Sequence, residues 1–129
     1  MCRLPLISVI DDDYSVRESL EALIRSAGLA VRVFSSAEEF LDSEYFHTTN
    51  CVIIDVRMPG MNGLDLQRRL AVDQPELPVI FITAHGDFAG RSQALRAGAV
   101  EYLLKPFSDE ALLTAINKSM SSKYVKVRA

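Results

Sequence analysis

Residues Cys51 to Gly63 read CVIIDVRMPGMNG. Four apolar residues run into the carboxylate of Asp55, and a Pro59-Gly60 turn follows. A short, unbroken apolar run suits a strand buried on both faces, and turn residues end it. This reading puts a single acid at the end of a buried strand, facing a loop. In open α/β sheets, ligands gather at such strand ends.

The flanking chain repeats the pattern. Leu6 to Ile10 is a strand candidate with Asp11, Asp12 and Asp13 at its carboxyl end. Ser15-x-x-Glu18 reads as a helix capping box. Val16, Leu20, Leu23 and Ile24 follow at helical spacing, with Arg17, Glu18, Glu21 and Arg25 on the other face. Gly28 stands where a left-handed helix cap is usual. Ala30 to Phe34 is a second strand, broken by Arg32 and so expected at an edge. Ser35-x-x-Glu38 and Ser36-x-x-Glu39 both announce a short helix carrying Ala37, Phe40 and Leu41.

Beyond the central strand, Asn62 can cap a helix with Leu66 and Leu70 inward. Val79 to Ile82 is a fully apolar strand ending at Thr83. The helix after Asp87 is weak, since Gly90 in its body costs about 1 kcal/mol relative to Ala. Val100 to Leu104 is the fifth strand, ended by Lys105-Pro106. Ser108 caps a last helix with Leu112, Leu113 and Ile116 buried. The alternation is (βα) five times, and short right-handed crossovers make it a parallel sheet with helices on both faces. Spacing alone does not order the strands.

At 129 residues the chain is expected to be one domain, 1–129, with a core from about 6 to 120 and no second domain. With 49% hydrophobic and 24% charged residues it is neither disordered nor membrane-embedded. A formal charge of −3 lacks the basic footprint of a nucleic-acid binder. No run approaches about 18 apolar residues, and MCRLPLISVIDDD has no signal-peptide core, so a cytoplasmic location with no membrane partner is expected. Cys2 and Cys51 are too few for a disulfide framework or zinc site, and Cys51 is expected to pack as a small apolar residue.

All carboxyl ends of a parallel sheet point one way. Asp11 and Asp12, Asp55, Thr83 and Lys105 end the first, third, fourth and fifth strands, and so are expected along one edge. Clustered carboxylates raise one another's pKa unless a cation sits among them. The hard oxygens suit Mg²⁺ or Mn²⁺, and three acids with Lys105 leave −2, which a divalent ion neutralises. Such a site could accept a phosphoryl group, with Lys105 and a Thr83 hydroxyl helping to spread its charge.

The segments VIDDD (9–13), IIDVRMPGMNG (53–63), FITAHGD (81–87) and YLLKPF (102–107) together resemble the receiver domain of bacterial two-component response regulators. The resemblance covers nearly the whole chain. TAHGD is most similar to the subgroup preceding a LuxR/FixJ-type helix-turn-helix output domain. The resemblance implies a flavodoxin-like, doubly wound five-stranded sheet in the order 2-1-3-4-5. It implies that Asp55 is the phosphoacceptor and that a sensor histidine kinase is the donor. It implies Asp12 and Asp55 as direct Mg²⁺ ligands, Asp11 through water, and the carbonyl of Arg57 as a further ligand. Thr83 and Lys105 are implied as phosphoryl contacts, with Thr83 and Tyr102 as the switch pair and Lys105-Pro106 as a cis bond. Arg57, Ala84 and His85 are candidate modulators. Phosphorylation is expected to remodel the face of the fourth helix, fifth strand and fifth helix, with homodimerisation as one outcome. DNA would be reached only through an output domain.

Three other readings compete. The chain could be a stand-alone regulator or phosphorelay carrier acting by protein binding. It could instead be an aspartyl-nucleophile phosphohydrolase, but haloacid-dehalogenase phosphatases need an acid where Arg57 stands. Nucleotide or flavin binding lacks a GxxxxGK[ST] or Gly-rich first turn. The chain is therefore expected not to be an enzyme beyond its own phosphotransfer and autodephosphorylation.

Overall fold

The computed structural model describes residues 4–84 and 88–128. Strands β1 (Leu6–Ile10), β2 (Ala30–Phe34), β3 (Cys51–Asp55), β4 (Val79–Thr83) and β5 (Glu101–Leu104) alternate with helices. These are α1 (Tyr14–Ser26), α2 (Ala37–Leu41), α3 (Gly63–Asp73), α4 (Phe88–Arg96) and α5 (Asp109–Arg128). All neighbouring strands pair in parallel, in the order β2-β1-β3-β4-β5. The chain therefore reverses direction between β1 and β3, the switch point at which such sheets open a crevice.

Alternation along the central strands sorts the core into two layers. Val52, Ile54 and Phe81 pack with Phe40, Leu66, Leu70 and Ala94, which places α2, α3 and α4 on one face. Cys51, Ile53, Ile80 and Ile82 pack with Leu20, Ile24, Leu112 and Ile116, which places α1 and α5 on the other. Every residue of β3 and β4 is buried, as their unbroken apolar runs require. Cys51 is a packed core residue with no exposure. Strand β2 lies at the sheet edge, with Arg32 exposed and its guanidinium 4.8 Å from the centre of the Tyr45 ring.

One helix start differs from the sequence reading, and the two starts offered for α2 resolve to one. Asp13, not Ser15, caps α1, and its carboxylate accepts from both the N–H (2.9 Å) and the hydroxyl (2.7 Å) of Ser15. Ser15 already lies inside the helix, because β1 ends at Ile10 and the chain turns over only three residues. Ser36 caps α2, while Glu39 accepts from the N–H of Ser35. Glu38 is thereby released for another partner. Asn62 caps α3 in a capping box with Asp65. Removing such a cap typically costs about 1 kcal/mol. Asn62→Ala is expected to lower the unfolding free energy by about that amount in urea, while Asn62→Asp keeps most of it. Equal midpoints for wild type and Asn62→Ala would show that the cap adds nothing.

Candidate phosphoacceptor site

The carboxyl ends of β1, β3, β4 and β5 surround a pocket of about 310 Å³. It is lined by Asp11, Asp12 and Asp13, by Asp55 and Arg57, by Thr83 and Ala84, and by Lys105. The four strand ends expected to meet do so. A larger open groove of about 820 Å³, lined partly by Leu4, Leu29, Val31 and Met120, opens elsewhere on the fold and shares no residue with this pocket.

Asp11 is fully buried and held from several directions. Its N–H donates to the Phe34 carbonyl (3.1 Å), which extends the β1–β2 ladder by one bond. One carboxylate oxygen accepts the N–H of Asp13 (2.9 Å), and the other accepts from Lys105 Nζ (2.9 Å). Lys105 is closer to Asp11 than to Asp55, whose Oδ2 is 3.8 Å away. Asp55 is 6% exposed, and its Oδ1 accepts the N–H of Arg57 at 3.2 Å. Burial pushes the Asp55 carboxyl up to about 6, and the neighbouring Asp11 adds to the rise. Lys105 and the Arg57 N–H pull it the other way without cancelling it. Asp13, outside the pocket's buried centre, is shifted down by its bonds from Ser15. Its place is that of a helix cap.

Carboxylate oxygens of Asp11, Asp12 and Asp55 lie within 4.8 Å of one another. Ligands on opposite sides of Mg²⁺ span about 4.2 Å, so the cluster is near the size of such a site. The donors are all hard oxygens, and one buried acid is short of positive charge. The set fits a divalent cation.

The loop after Asp55 is pinned at both ends. Gly63 N–H donates to the Val56 carbonyl at 2.9 Å, and Met61 N–H donates to Glu38 Oε2 of α2 at 3.1 Å. The Glu38 contact spans 23 residues, and no sequence pattern announced it. Arg57 itself is exposed. Thr83 is fully buried, and its carbonyl accepts the N–H of Lys105 at 2.7 Å, tying the ends of β4 and β5 together. The Lys105–Pro106 bond is cis. Tyr102 is 8% exposed, more enclosed than a half-buried strand aromatic, with its ring centre 6.3 Å from that of Phe81. His85 lies outside the described residues.

A parallel 2-1-3-4-5 sheet with an acidic pocket at the end of β3 defines a class, and the chain belongs to it. The family model of the response regulator receiver domain matches residues 7–117. The protein is thus a receiver domain of two-component response regulators. It is 46% identical over 118 residues to the response regulator protein TodT of Pseudomonas putida, covering 92% of this chain and 52% of TodT. It is 41% identical to the transcriptional regulatory protein FixJ of Bradyrhizobium diazoefficiens, covering 88% and 56% of the two chains. The crystal structure of a receiver domain protein from Clostridium thermocellum superposes with a TM-score of 0.89 at 34% identity, over 95% and 98% of the two chains. The chain spans about half the length of the curated relatives it matches. Among the described residues, no helix is long and apolar enough to cross a membrane.

Proposed function

We propose that the chain takes a phosphoryl group from a sensor histidine kinase onto Asp55 and relays its presence to an output. The observation that carries this reading is Asp55 itself. It is a nearly buried carboxylate at a strand end, between Asp11 and Lys105, with its ionised form disfavoured by burial. Asp55 Oδ attacks phosphorus in line, a P–O bond forms, and the P–N bond of phosphohistidine breaks with its electron pair leaving on the imidazole.

A divalent ion, Mg²⁺ or Mn²⁺, supplies charge that offsets the phosphoryl oxygens when bound. Asp12, Asp55 and the Arg57 carbonyl would hold it, with Asp11 through water. Lys105 pairs with the phosphoryl by giving up part of its contact with Asp11, and the Thr83 hydroxyl takes another oxygen. A shift of Thr83 reaches β5 through the Lys105 N–H bond to its carbonyl. Tyr102 is the aromatic side chain placed on β5 to pass it on. The face of α4, β5 and α5 then changes, with homodimerisation or binding of another protein as the readout. Similarity to the transcriptional regulatory protein FixJ favours transcription as the output, through a DNA-binding domain outside this chain, in the cytoplasm. Arg57, where a phosphohydrolase needs a proton-transferring acid, favours single phosphotransfer over turnover.

Acetyl phosphate with Mg²⁺ is expected to add one phosphoryl group per chain by intact mass, and chelation by EDTA to prevent it. Absence of any adduct in Mg²⁺, or sustained hydrolysis of a generic phosphate ester, would overturn the proposal.

A further inference from the structure

We propose that Arg17 is a positioning residue that orients Asp12 for the divalent ion by holding the Asp11–Asp12 peptide. The inference rests on the reading of the pocket given above. Its sequence setting, on the polar face of α1, suggested only a solvated charge. In the structure Arg17 is half-buried, and its Nη1 reaches back to donate to the Asp11 carbonyl at 2.8 Å. The guanidinium carbon lies 5.6 Å from the centre of the Tyr14 ring, which braces it.

The peptide bond is planar, so a fixed Asp11 carbonyl also fixes the N and Cα of Asp12. Asp11 has other anchors, as its N–H and both carboxylate oxygens are bonded. Asp12 does not. It is exposed, and no hydrogen bond or ion pair of its side chain is present among the described residues. Its orientation therefore depends on its backbone, and the Arg17 bond sets the plane of the peptide that leads into it. Arg17 itself makes no ion pair among the described residues, so its charge faces a carbonyl, not a carboxylate.

Two effects of Arg17 on a bound cation oppose each other. Its positive charge near three carboxylates weakens cation binding, whereas ordering Asp12 strengthens it. The sign of a mutant's affinity change therefore separates them. Partners that orient metal ligands typically account for 10–100-fold in affinity. That exceeds what a half-exposed charge contributes across solvent, so positioning wins.

The test is Mg²⁺ titration of the wild type, Arg17→Met and Arg17→Lys, followed by amide NMR shifts, with acetyl phosphate uptake measured against Mg²⁺ concentration. Arg17→Met keeps the apolar stem and is expected to bind Mg²⁺ about tenfold more weakly. The Mg²⁺ concentration for half-maximal phosphorylation should rise equally, with the rate at saturating Mg²⁺ unchanged. Arg17→Lys, which can still donate to the carbonyl, should return to within about threefold of wild type. Equal or tighter Mg²⁺ binding by Arg17→Met overturns the inference and leaves the pocket reading intact. A fall in the saturating rate, or no recovery in Arg17→Lys, assigns Arg17 a merely structural role and also overturns it. Failure of the wild type to bind Mg²⁺ removes the pocket reading itself.

Discussion

Asp55→Asn is expected to take up no phosphoryl group from acetyl phosphate and, without divalent ions, to resist urea better than the wild type at pH 7. Both results come from the same burial. The carboxyl is raised from an ordinary 3.8 to about 6, first by desolvation and then by Asp11. In the unfolded chain it ionises near its ordinary value. Between about pH 4 and 6 the folded protein therefore holds a proton that the unfolded chain has lost. Stability from this group is complete below that window and falls as pH rises through it. Above pH 6 the whole penalty is present, on the order of 3 kcal/mol. Asn has the same shape without the charge, so the variant should lose this slope and gain about that much at pH 7. Mg²⁺ should narrow the gap, because it stabilises the wild-type fold in proportion to its binding there. Phosphoryl uptake by Asp55→Asn at wild-type level would show that another side chain is the acceptor. A variant less stable than wild type at pH 7 would show that Lys105 outweighs burial.

Gly63→Ala is the second large effect. Gly63 begins α3 directly against the end of β3. A Cβ there would stand 2.6 Å from the Asp55 carbonyl oxygen, 2.9 Å from Val56 Cα and 3.1 Å from Ile54 Cγ2. Two of these are backbone atoms of the strand end and its loop, so no side-chain rotation relieves the clash. Alanine would favour the helix by at most about 1 kcal/mol. Overpacking against such rigid neighbours costs about 1–3 kcal/mol or more, and the clash wins. A net loss of about 2 kcal/mol in urea is expected, together with slower phosphorylation, because the atoms that must move carry Asp55. Gly28→Ala is the contrast. Gly28 has φ of 85° and nothing within 4 Å of an added Cβ, so only the left-handed backbone opposes it, at about 1 kcal/mol. If Gly63→Ala proves no more costly than Gly28→Ala, α3 can slide away from β3, and the Asp55 position is less rigid than the contacts imply.

The strands, their ends and the presence of Asp11, Asp12, Asp55, Thr83 and Lys105 at one edge were legible because they depend on local patterns. Apolar runs mark strands buried on both faces, and turn residues mark where each stops. In a parallel sheet the stops share an edge, whatever the strand order. Asn62 and Ser108 were legible as caps for the same reason, since a cap acts within three residues. The Ser15 cap misled because the choice between neighbouring capping residues depends on how far the chain travels before the helix can start. The strand order rested on resemblance, since alternating patterns are alike for every order.

Tertiary structure decided what each group touches. Lys105 meets Asp11 more closely than Asp55, across 94 residues. Glu38 holds the N–H of Met61, and Gly63 leaves no room for a methyl group beside Asp55. Arg17 turns from the solvated face of α1 toward the Asp11 carbonyl. Hydrophobic period reports which side of an element is buried, and says nothing about which element lies against it. That depends on sheet order, on register and on the turn taken at each strand end. By itself the sequence determined which residues form the pocket. Which of them are held, and by what, was decided by the packing of strand ends against helices distant in the chain.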